Sequence, residues 1–367
     1  MKILVTGLRG IPSIMGGIES HAEALYPRLK RLRPADRIVI FGRSPYLKAR
    51  ADEHQGVEVR SVFAVRNKYL ETILHTLLSI LVARARFGGD VFHIHGVGPG
   101  VLAPLARALG YKVVLTHHGA DYERAKWNRF AKGVLRWGER TAILSARQVI
   151  VVSDSMTATL RARYPHAAER IHYIPNGATL PPPSMAASDD DLYARLGVRR
   201  GRYVLGVARL VPEKALHDLV AAFERLPPSD LKLLIAGGAD HKDAYATGLL
   251  AKASDRVIFA GLQPRAAVEQ LYRGAALFAM PSYHEGLPIA ALEAAAAGTP
   301  MLLSDIQPNR DLGLPATNYF RVGDVGALAE RLNADPAQFG YDRQSLLARF
   351  DWDDVAARTR RIYDMMA

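Results

Sequence analysis

Short apolar segments alternate with longer helical patterns along this chain, and the alternation occurs in two runs. The first run predicts seven strands, at Lys2–Thr6, Ile38–Phe41, Val57–Val62, Asp90–Ile94, Lys112–Thr116, Gln148–Val152 and His172–Ile174. The second run predicts five, at Tyr203–Val207, Leu231–Ala236, Val257–Phe259, Leu277–Met280 and Pro300–Leu303. Nearly continuous apolar strands with helices between them are typical of parallel sheets that are covered on both faces.

Helical patterns occupy many of the intervals between these strands. The predicted helices are Glu19–Leu32, Tyr69–Arg86, Ala125–Ala146 and Ser155–Arg163 in the first run, and Leu216–Leu226, Ala266–Gly274, Pro288–Ala297 and Val325–Asn333 in the second. The runs are separated by a turn at Pro175–Gly177 and by two polar or proline-rich stretches, Leu180–Ser184 and Ser188–Asp191. This composition is typical of a linker between domains.

The pattern therefore predicts an α/β chain with two doubly wound, Rossmann-like domains. Its 367 residues are about twice the ~150 that serve as a guide for one domain. We assign residues 1–180 to an N-terminal domain, residues 181–350 to a C-terminal domain, and residues 351–367 to a C-terminal helix that could pack on either. Sheets of this kind bind ligands at the carboxyl ends of their strands, so we expect the site in a cleft between facing domains.

The composition excludes several classes of protein. The chain has no cysteine, which rules out a disulfide scaffold, cysteine-ligated zinc, an iron–sulfur cluster and a thiol nucleophile. The first residues lead directly into an apolar strand and do not resemble a signal peptide. No run of ~18 apolar residues is present, so we expect a cytoplasmic protein without a membrane-spanning segment.

The positive charge is concentrated in the first half of the chain. Residues 1–180 contain 27 basic and 13 acidic residues, or +14, whereas residues 181–367 contain 21 and 23, or −2, which gives the net charge of +12. This asymmetry indicates a polyanionic partner or an anionic membrane surface.

One predicted helix combines basic and aromatic residues. Its basic residues are Arg124, Lys126, Arg129, Lys132, Arg136 and Arg140, and its apolar residues are Trp127, Phe130, Leu135 and Trp137. Such a helix suits an anionic membrane surface or a lipid acceptor linked through pyrophosphate. The alternative is a helix with a solvated basic face and an aromatic side that packs into the core.

A pair of glycines precedes the first predicted helix. Gly16 and Gly17 would let backbone N–H groups approach a phosphate at the helix N-terminus. The dinucleotide fingerprint G-x-G-x-x-G is absent, because Gly7 and Gly10 do not have the required spacing from Gly16, and this argues against a nicotinamide-dependent enzyme. The alternative for the pair is a plain surface turn.

Histidines lie at the ends of two predicted strands of the first domain. His118 follows one of them, where an imidazole can donate a hydrogen bond to a carbonyl or hydroxyl group. His93 and His95 alternate on another strand. They lack a third ligand at a recognisable metal-site spacing, so we interpret them as structural or supporting residues.

Charged residues follow two strands of the second domain. Arg209 and Lys214 lie in the loop after its first strand, and two cations there suit a diphosphate. Pro288 is predicted to be the first residue of a helix, which places Glu285 in the preceding loop and Glu293 in the second turn. A carboxylate at Glu293 could accept both hydroxyls of a ribose.

Taken in order, these motifs resemble those of the retaining GT-B glycosyltransferases of family four. The matching elements are Gly-Gly-x-Glu at residues 16–19, His-Gly at 118–119, Pro-Asn-Gly at 175–177, Arg…Glu-Lys at 209–214, and Pro-Ser…Glu-Gly-x-Pro…Glu at 281–293. The resemblance covers nearly the whole chain. The patterns at residues 7–12 and 121–127 are similar to a bacterial branch of rhamnosyl- and hexosyltransferases that build capsule, exopolysaccharide or O-antigen.

The resemblance implies how phosphates and acceptor are bound. Arg209 and Lys214 would bind the donor diphosphate and stabilise the charge that develops on it, so that no metal and no other cofactor is needed. Gly16 and Gly17 would cradle the phosphates from the other domain. His118 would contact the sugar and help to align the acceptor. The acceptor hydroxyl would attack the face from which the diphosphate leaves, with retention, and the diphosphate would act as base.

The resemblance also implies the remaining donor contacts. Glu285 would contact the donor sugar, the backbone of Gly286 and Leu287 would lie near sugar or phosphate, and Glu293 would bind the ribose. The acidic run Asp189–Asp191 resembles a metal-binding motif only superficially, because it lies in the predicted linker. The expected partners are a nucleotide-diphosphate sugar, a lipid-linked or oligosaccharide acceptor, and the inner face of the cytoplasmic membrane.

One segment departs from the family pattern, and two other functions compete with glycosyl transfer. Residues Ser304–Asp311 replace a glycine-rich turn and a glutamate found in many relatives. A nucleotide-sugar 2-epimerase on the same fold would need acid/base carboxylates beyond Glu285 and Glu293. A basic nucleic-acid-binding protein would fit the charge, but no helix-turn-helix, RNA-recognition or zinc motif is present, and we expect no nucleic-acid partner.

Overall fold

A computed structural model of the chain describes residues 1–67, 70–120, 122, 129–178, 189–239 and 244–366. The chain divides into two units, each built on a sheet of its own. The first unit comprises Met1–Gly177 and Trp352–Ala367, and the second comprises Ala178–Asp351. The first unit therefore contains both ends of the chain.

An eight-stranded sheet forms the centre of the first unit. Its strands are β1 (Lys2–Thr6), β2 (Arg37–Arg43), β3 (Ala51–His54), β4 (Val57–Val62), β5 (Val91–His95), β6 (Lys112–His117), β7 (Gln148–Val151) and β8 (Ile171–Tyr173). Their order is β3-β4-β2-β1-β5-β6-β7-β8, and only β3 is antiparallel to its neighbour. The sequence pattern predicts the other seven strands to within two residues at each end. It misses β3 because this strand is polar and largely exposed.

Helices connect the parallel strands. They are α1 (Gly17–Leu32), α2 (Leu70–Val82), α3 (Val97–Gly100), α4 (Ala103–Ala108), α5 (Arg129–Ser145) and α6 (Asp154–Arg163). The sequence predicts all of these except α3 and α4, which are too short to show a helical period. The predicted beginning of α5, residues 125–128, lies outside the described residues.

A six-stranded sheet forms the centre of the second unit. Its strands are β9 (Tyr203–Val207), β10 (Lys232–Ala236), β11 (Val257–Gly261), β12 (Leu277–Met280), β13 (Met301–Ser304) and β14 (Tyr319–Phe320). All neighbours are parallel, in the order β11-β10-β9-β12-β13-β14. The sequence pattern misses only β14, whose two residues are too few to form an apolar run.

The helices of the second unit follow the same alternation. They are α7 (Asp189–Arg195), α8 (Leu216–Glu224), α9 (Ala244–Leu250), α10 (Arg265–Gly274), α11 (Ile289–Ala297), α12 (Gln307–Arg310), α13 (Val325–Leu332) and α14 (Arg343–Arg349). The assignment of Asp189–Asp191 to a linker is wrong, because these residues begin α7. The rest of the predicted linker, residues 179–188, lies outside the described part of the chain.

Both faces of the first sheet are covered, as the apolar strands predict. Leu4 and Val5 are neighbours on β1, and their side chains point to opposite faces. Each is fully buried, in two separate apolar clusters. This sheet can therefore present polar groups to a ligand at the ends of its strands. Gly7 brings two of these ends together: its φ is +102°, and a Cβ there would lie 2.2 Å from the carbonyl oxygen of His95.

The last helix, α15 (Trp352–Asp364), packs on α1 in the first unit. Arg360 forms a buried ion pair with Asp36, which also accepts a hydrogen bond from the N-terminal ammonium of Met1 at 2.8 Å. At the beginning of the helix, the ring of Trp352 lies against Gly177, where a Cβ would be 2.5 Å from the ring. The sequence leaves open which domain this helix joins, because its partners are far away along the chain.

Candidate active site

The loop after β9 carries Arg209 and adjoins the loop after β10. Arg209 is half-buried, and the neighbouring Leu210 N–H donates to the carbonyl of Gly238 at 3.0 Å. Gly237 makes this close approach possible: its φ is +143°, and a Cβ would lie 1.9 Å from the carbonyl oxygen of Ala208. Arg209 is thus held at the carboxyl edge of the second sheet, where the sequence predicts a diphosphate contact.

Lys214 and Glu285 form an ion pair. Lys214 ends a short 3-10 turn, Pro212–Lys214, and its Nζ lies 2.6 Å from Oε1 and 2.7 Å from Oε2 of Glu285. The glutamate is buried and the lysine is about four-fifths buried, with 20% of its side chain exposed. A charge-assisted pair in such a place holds both groups in a defined orientation. The structure therefore brings together two residues that the sequence assigns to the donor site.

A backbone hydrogen bond links the loops that carry this pair. The N–H of Tyr283 donates to the carbonyl of Glu213 at 2.9 Å. The Tyr283 hydroxyl in turn donates to the Asp218 carboxylate on α8 at 2.6 Å. The positions of Lys214 and Glu285 are thus set by both main chain and side chains.

Glu293 lies in the second turn of α11, as the sequence predicts. Pro288 directly precedes the helix, which begins at Ile289, and the buried Leu287 and half-buried Gly286 connect it to Glu285. Burial raises the pKa of Glu293 above its usual range. The charge of Arg265 and a 3.3 Å hydrogen bond from the Tyr272 hydroxyl oppose this rise.

The segment that departs from the family pattern is folded around a buried asparagine. The Asn309 side-chain amide donates to the carbonyl and the hydroxyl of Ser304, at 2.8 and 3.0 Å. The Ser304 hydroxyl donates to the carbonyl of Ser282 at 2.6 Å, three residues before Glu285. Asn309 thus braces the loop that carries Glu285. Sequence reasoning missed this role, because the contact joins separate strand ends.

In the first unit, a buried glutamate of α1 accepts a hydrogen bond from the loop that precedes this helix. The backbone N–H of Arg9 donates to Glu19 Oε1 at 2.9 Å, and Glu19 is buried. A Cβ on Gly16 would lie 2.0 Å from the other carboxylate oxygen of Glu19, and the φ of Gly16 is +151°. A Cβ on Gly17 would meet no atom within 4 Å. Only Gly16 is therefore required by the fold, whereas Gly17 leaves open space beside the backbone.

His118 begins a buried chain of hydrogen-bonding groups. It directly follows β6 and is half-buried. His118 Nε2 lies 2.9 Å from His95 Nδ1, and His95 Nε2 lies 2.6 Å from the Tyr26 hydroxyl. The Tyr26 hydroxyl lies 3.0 Å from His93 Nδ1, which is 2.6 Å from the Tyr363 hydroxyl on α15. His93 and His95 thus support His118 and connect it to the last helix.

These imidazoles are neutral at pH 7. Burial is the main cause, and it lowers the pKa of His93 to about 3 and the pKa values of His95 and His118 well below the usual range. A neutral imidazole has one donor and one acceptor nitrogen. The hydrogen-bond partners of each ring therefore determine which of its two nitrogens carries the proton.

His21 also belongs to this cluster, although the sequence analysis did not single it out. Its Nδ1 lies 2.9 Å from the Asn176 side-chain oxygen, and burial lowers its pKa to about 4. Its Nε2 is buried and has no hydrogen-bond partner among the described residues. Asn176 belongs to the Pro175–Gly177 motif, which the sequence analysis interprets as a turn and includes in the family resemblance without giving it a role. The sequence signal that could have identified His21 was its position in the first turns of the helix that follows Gly16 and Gly17.

The described part of the basic helix exposes its aromatic residues. Phe130 is 81% exposed and Trp137 is 60% exposed on α5. They lie on one stripe with Val134, because positions i, i+4 and i+7 share a helix face. The alternative in which the aromatic side of this helix packs into the core is wrong for its described part, since the buried residues of α5 are Gly138, Glu139, Ala142 and Ile143.

The basic residues of the same helix lie around this stripe. Arg129, Arg136 and Arg140 are exposed and Lys132 is half-buried, whereas Arg124, Lys126 and Trp127 lie outside the described residues.

No helix in the described part of the chain has the length and apolar composition that spanning a membrane requires.

Comparison with known proteins places both units in one class of enzymes. Residues 195–334 match the family model described as glycosyl transferases group 1, and residues 15–180 match that of glycosyltransferase family 4. The chain is 30% identical to alpha-maltose-1-phosphate synthase of Mycolicibacterium smegmatis, over 74% of this chain and 78% of that protein. It is 28% identical to UDP-Gal:alpha-D-GlcNAc-diphosphoundecaprenol alpha-1,3-galactosyltransferase of Escherichia coli, over 67% and 66% of the two chains.

Solved structures share the fold. Sucrose-phosphate synthase from Thermosynechococcus elongatus superposes with a TM-score of 0.80 and 22% identity, covering 100% of this chain and 98% of the other. Anabaena HepE in complex with UDP and glucose superposes with a TM-score of 0.76 and 20% identity, covering 100% of both. The GT-B fold class that the sequence predicts is thus confirmed by two Rossmann-like sheets and by these neighbours.

Proposed function

The chain belongs to the group 1 glycosyltransferases of family 4 and uses a nucleotide-sugar donor, and from that premise we propose that it transfers the sugar, with retention, to a lipid-linked glycan. The observation that carries the proposal is the Lys214–Glu285 pair at the carboxyl edge of the second sheet. An ammonium group has three N–H donors, of which two point to the carboxylate oxygens of Glu285. The remaining donor and the guanidinium of Arg209 suit the oxygens of a diphosphate.

We propose that this arrangement stabilises the leaving group. The bond from the anomeric carbon to the phosphate oxygen breaks, and its electron pair goes to the diphosphate. The acceptor oxygen bonds to the same carbon on the same face, and the acceptor proton goes to the departing phosphate oxygen. Arg209 and Lys214 offset the negative charge that develops, which is the role that a metal ion has in other enzymes. Transfer should therefore persist in the presence of EDTA.

The contacts of the donor follow from the same proposal. Glu285 binds a hydroxyl of the sugar, with Gly286 and Leu287 beside it, and Glu293 binds the ribose. Gly16 and Gly17 contribute the phosphate contact of the first unit, and His118 contributes the contact to sugar and acceptor. Anabaena HepE was solved in complex with UDP and glucose, and the Escherichia coli relative is named for UDP-Gal, so UDP sugars are the first donors to test.

A lipid-linked acceptor is supported by the surface of α5. The relatives have different acceptors in their names, including 2-deoxystreptamine and a diphosphoundecaprenol-linked sugar, so membership in the family does not select one. The exposed stripe of Phe130 and Trp137, with three exposed arginines around it, suits an anionic membrane surface. We therefore propose peripheral attachment to the inner face of the cytoplasmic membrane and a role in surface-polysaccharide synthesis.

The test measures donor binding and transfer separately. Thermal unfolding of the full chain is followed with UDP, GDP and dTDP sugars, since a ligand that binds only the folded state raises the Tm. Transfer of the radiolabelled sugar to polyprenyl-diphosphate-linked acceptors is then measured with the donor that binds. We expect Lys214→Ala to lower kcat by about 100-fold or more.

The matched control is Glu269→Gln, which removes a buried carboxylate from another ion pair of the second unit, with Arg273 at 2.8 Å. This variant should transfer sugar at the rate of the unchanged protein once both are folded. If no nucleotide-diphosphate sugar raises the Tm, the proposal fails. If the protein instead converts the donor into its epimer without acceptor, it is a nucleotide-sugar 2-epimerase and not a glycosyltransferase.

A further inference from the structure

Three histidines from separate segments of the first unit meet in space. His21 is on α1, His95 ends β5, and His118 follows β6. One ring nitrogen from each of the three lies within 4.8 Å of the other two. The ring centroids are 4.9 Å apart for His21 and His118, 5.2 Å for His95 and His118, and 5.4 Å for His21 and His95.

We propose that these three imidazoles form a binding site for a divalent transition-metal ion, with Zn²⁺ as the best match. Imidazole nitrogen is a preferred ligand of Zn²⁺, and three protein ligands with one open position form a known class of tetrahedral zinc site. No carboxylate belongs to the cluster among the described residues, which argues against Mg²⁺ and Ca²⁺, because these ions prefer oxygen ligands.

The second ring nitrogen of two of the ligands is already hydrogen-bonded. His21 Nδ1 donates to the Asn176 side-chain oxygen at 2.9 Å, so that the lone pair of its ring is on Nε2. That Nε2 is buried and lacks a partner among the residues that the structure describes. His95 Nε2 lies 2.6 Å from the Tyr26 hydroxyl, which leaves Nδ1 toward the cluster. Such outer contacts fix the orientation of histidine ligands in metal sites.

Little movement is needed to admit the ion. His95 Nδ1 and His118 Nε2 are 2.9 Å apart and share one proton in a hydrogen bond. Two nitrogen ligands of a tetrahedral Zn²⁺ are about 3.4 Å apart, given Zn–N bonds of ~2.0–2.1 Å. The rings therefore separate by about half an ångström, and one of them moves its proton to its other nitrogen. All three rings stay neutral, which is the form that binds metal.

The ion can enter past His118, because this residue is half-buried whereas His21 and His95 are buried. The same imidazole is the sugar contact in the proposed function. The following consequence rests on the proposed function: Zn²⁺ and the sugar compete for His118, so that Zn²⁺ inhibits transfer. The site itself depends only on the geometry of the three rings.

The experiment titrates the metal-free full chain with Co²⁺ and follows the visible absorption of tetrahedral Co²⁺. Equilibrium dialysis against Zn²⁺ gives the stoichiometry. We expect one ion per chain and a Zn²⁺-dependent rise in Tm. His21→Gln should remove the tetrahedral spectrum, and Asn176→Ala should weaken Zn²⁺ binding about 10–100-fold, as for other outer contacts of zinc ligands.

The matched control is His75→Gln, which changes another fully buried histidine of the first unit, outside the cluster. It should bind Co²⁺ with an unchanged spectrum. Absence of a tetrahedral spectrum in the unchanged protein, or the same spectrum and affinity in folded His21→Gln and Asn176→Ala, would overturn the proposal. Metal binding without any glycosyl transfer would leave the site standing and count against the proposed function alone.

Discussion

The two glycines before α1 have different reasons to be glycine. Gly16 has a positive φ and no room for a Cβ beside Glu19, whereas Gly17 has open space. We expect Gly16→Ala to destabilise the chain by about 1–3 kcal/mol, the usual cost of a strained backbone conformation. Gly17→Ala should leave the Tm unchanged and raise the KM for the donor, because the methyl group would occupy space assigned to a phosphate. Thermal unfolding and donor kinetics of the two variants test this, and equal Tm values would contradict it.

Glu293 provides a second test at the residue scale. Its pKa is raised in the folded chain, mainly by burial, so the folded state binds a proton more tightly than the unfolded state does. The stabilising contribution of this proton is present below the ordinary pKa of a glutamate. It is lost as the pH rises through the raised pKa of the folded state. The folded chain therefore lacks at pH 7 some of the stability that the buried Glu293 contributes at low pH.

We expect Glu293→Gln to raise the Tm at pH 7 by about 1–4 °C and to raise the KM for the donor, because it removes the carboxylate that we propose binds the ribose. The gain in Tm should shrink at pH 4, where the glutamate is protonated. Melting curves at the two pH values measure this. A lower Tm at pH 7 with an unchanged KM would show that Glu293 is a structural residue.

That Lys214 and Glu285 share one edge of the sheet could be expected from the sequence, whereas the contacts of His21 and Asn309 could not. Lys214 and Glu285 follow strands that are neighbours in a doubly wound sheet, so a common edge was expected. His21 contacts Asn176, far away in the sequence, and Asn309 reaches the Glu285 loop through Ser304, whose hydroxyl donates to Ser282. No local pattern of residues reports such contacts, because burial and partners depend on the register of the whole sheet.

At the scale of elements, a buried ion pair contributes to the packing of α15 in the first unit. Arg360 and Asp36 pair with side chains that are 10% and 7% exposed. Removing one partner of a buried pair leaves a desolvated charge, which costs about 3–5 kcal/mol. The N-terminal ammonium still contacts Asp36, so we expect Arg360→Ala to be near the low end, about 3 kcal/mol. Arg361→Ala, at an exposed neighbouring position, is the control and should change the unfolding free energy by less than about 0.5 kcal/mol. Chemical denaturation measures both, and equal effects would refute the role of the pair.

The exposed stripe of α5 is the element that we expect to contact the membrane. Phe130→Ser combined with Trp137→Ser should weaken binding to vesicles that contain phosphatidylglycerol by at least about tenfold, since each aromatic side chain contributes ~1.5–3 kcal/mol when fully buried. Leu262→Ser removes a side chain that is 62% exposed in the second unit and serves as the matched control. Cosedimentation with vesicles measures the binding. Equal losses in the two proteins would exclude a specific role for α5.

Elements with a strong apolar period were predicted accurately, and the missed ones lack that period. β3 is polar, β14 has two residues, and the missed helices have only four to seven residues each, namely α3, α4, α7, α9, α12 and α14. The two missed strands each pair with a neighbouring strand, β3 with β4 and β14 with β13. Their own side chains do not encode them, so they follow from the assembled fold.

At the scale of the whole molecule, the charge asymmetry distinguishes two expected kinds of binding, one to an anionic membrane and one to the donor. Residues 1–180 carry +14 and residues 181–367 carry −2. Contacts between exposed charges and an anionic membrane are screened over a Debye length of ~10 Å at 0.1 M salt. Each exposed basic residue near such a surface contributes about 1 kcal/mol at most. The donor contacts that we propose involve instead Lys214 and Arg209, of which at least Lys214 is largely buried and therefore less screened.

Raising the salt concentration from 0.05 to about 0.5 M should thus reduce partitioning onto phosphatidylglycerol vesicles by more than about tenfold, because the Debye length falls severalfold. Over the same range, the donor-induced rise in Tm should fall much less. Neutral phosphatidylcholine vesicles provide the control, since only the apolar stripe contributes there. If partitioning onto anionic vesicles did not respond to salt, the excess charge of the first 180 residues would have no part in membrane binding. The stripe of Phe130 and Trp137 would then have to account for all of it.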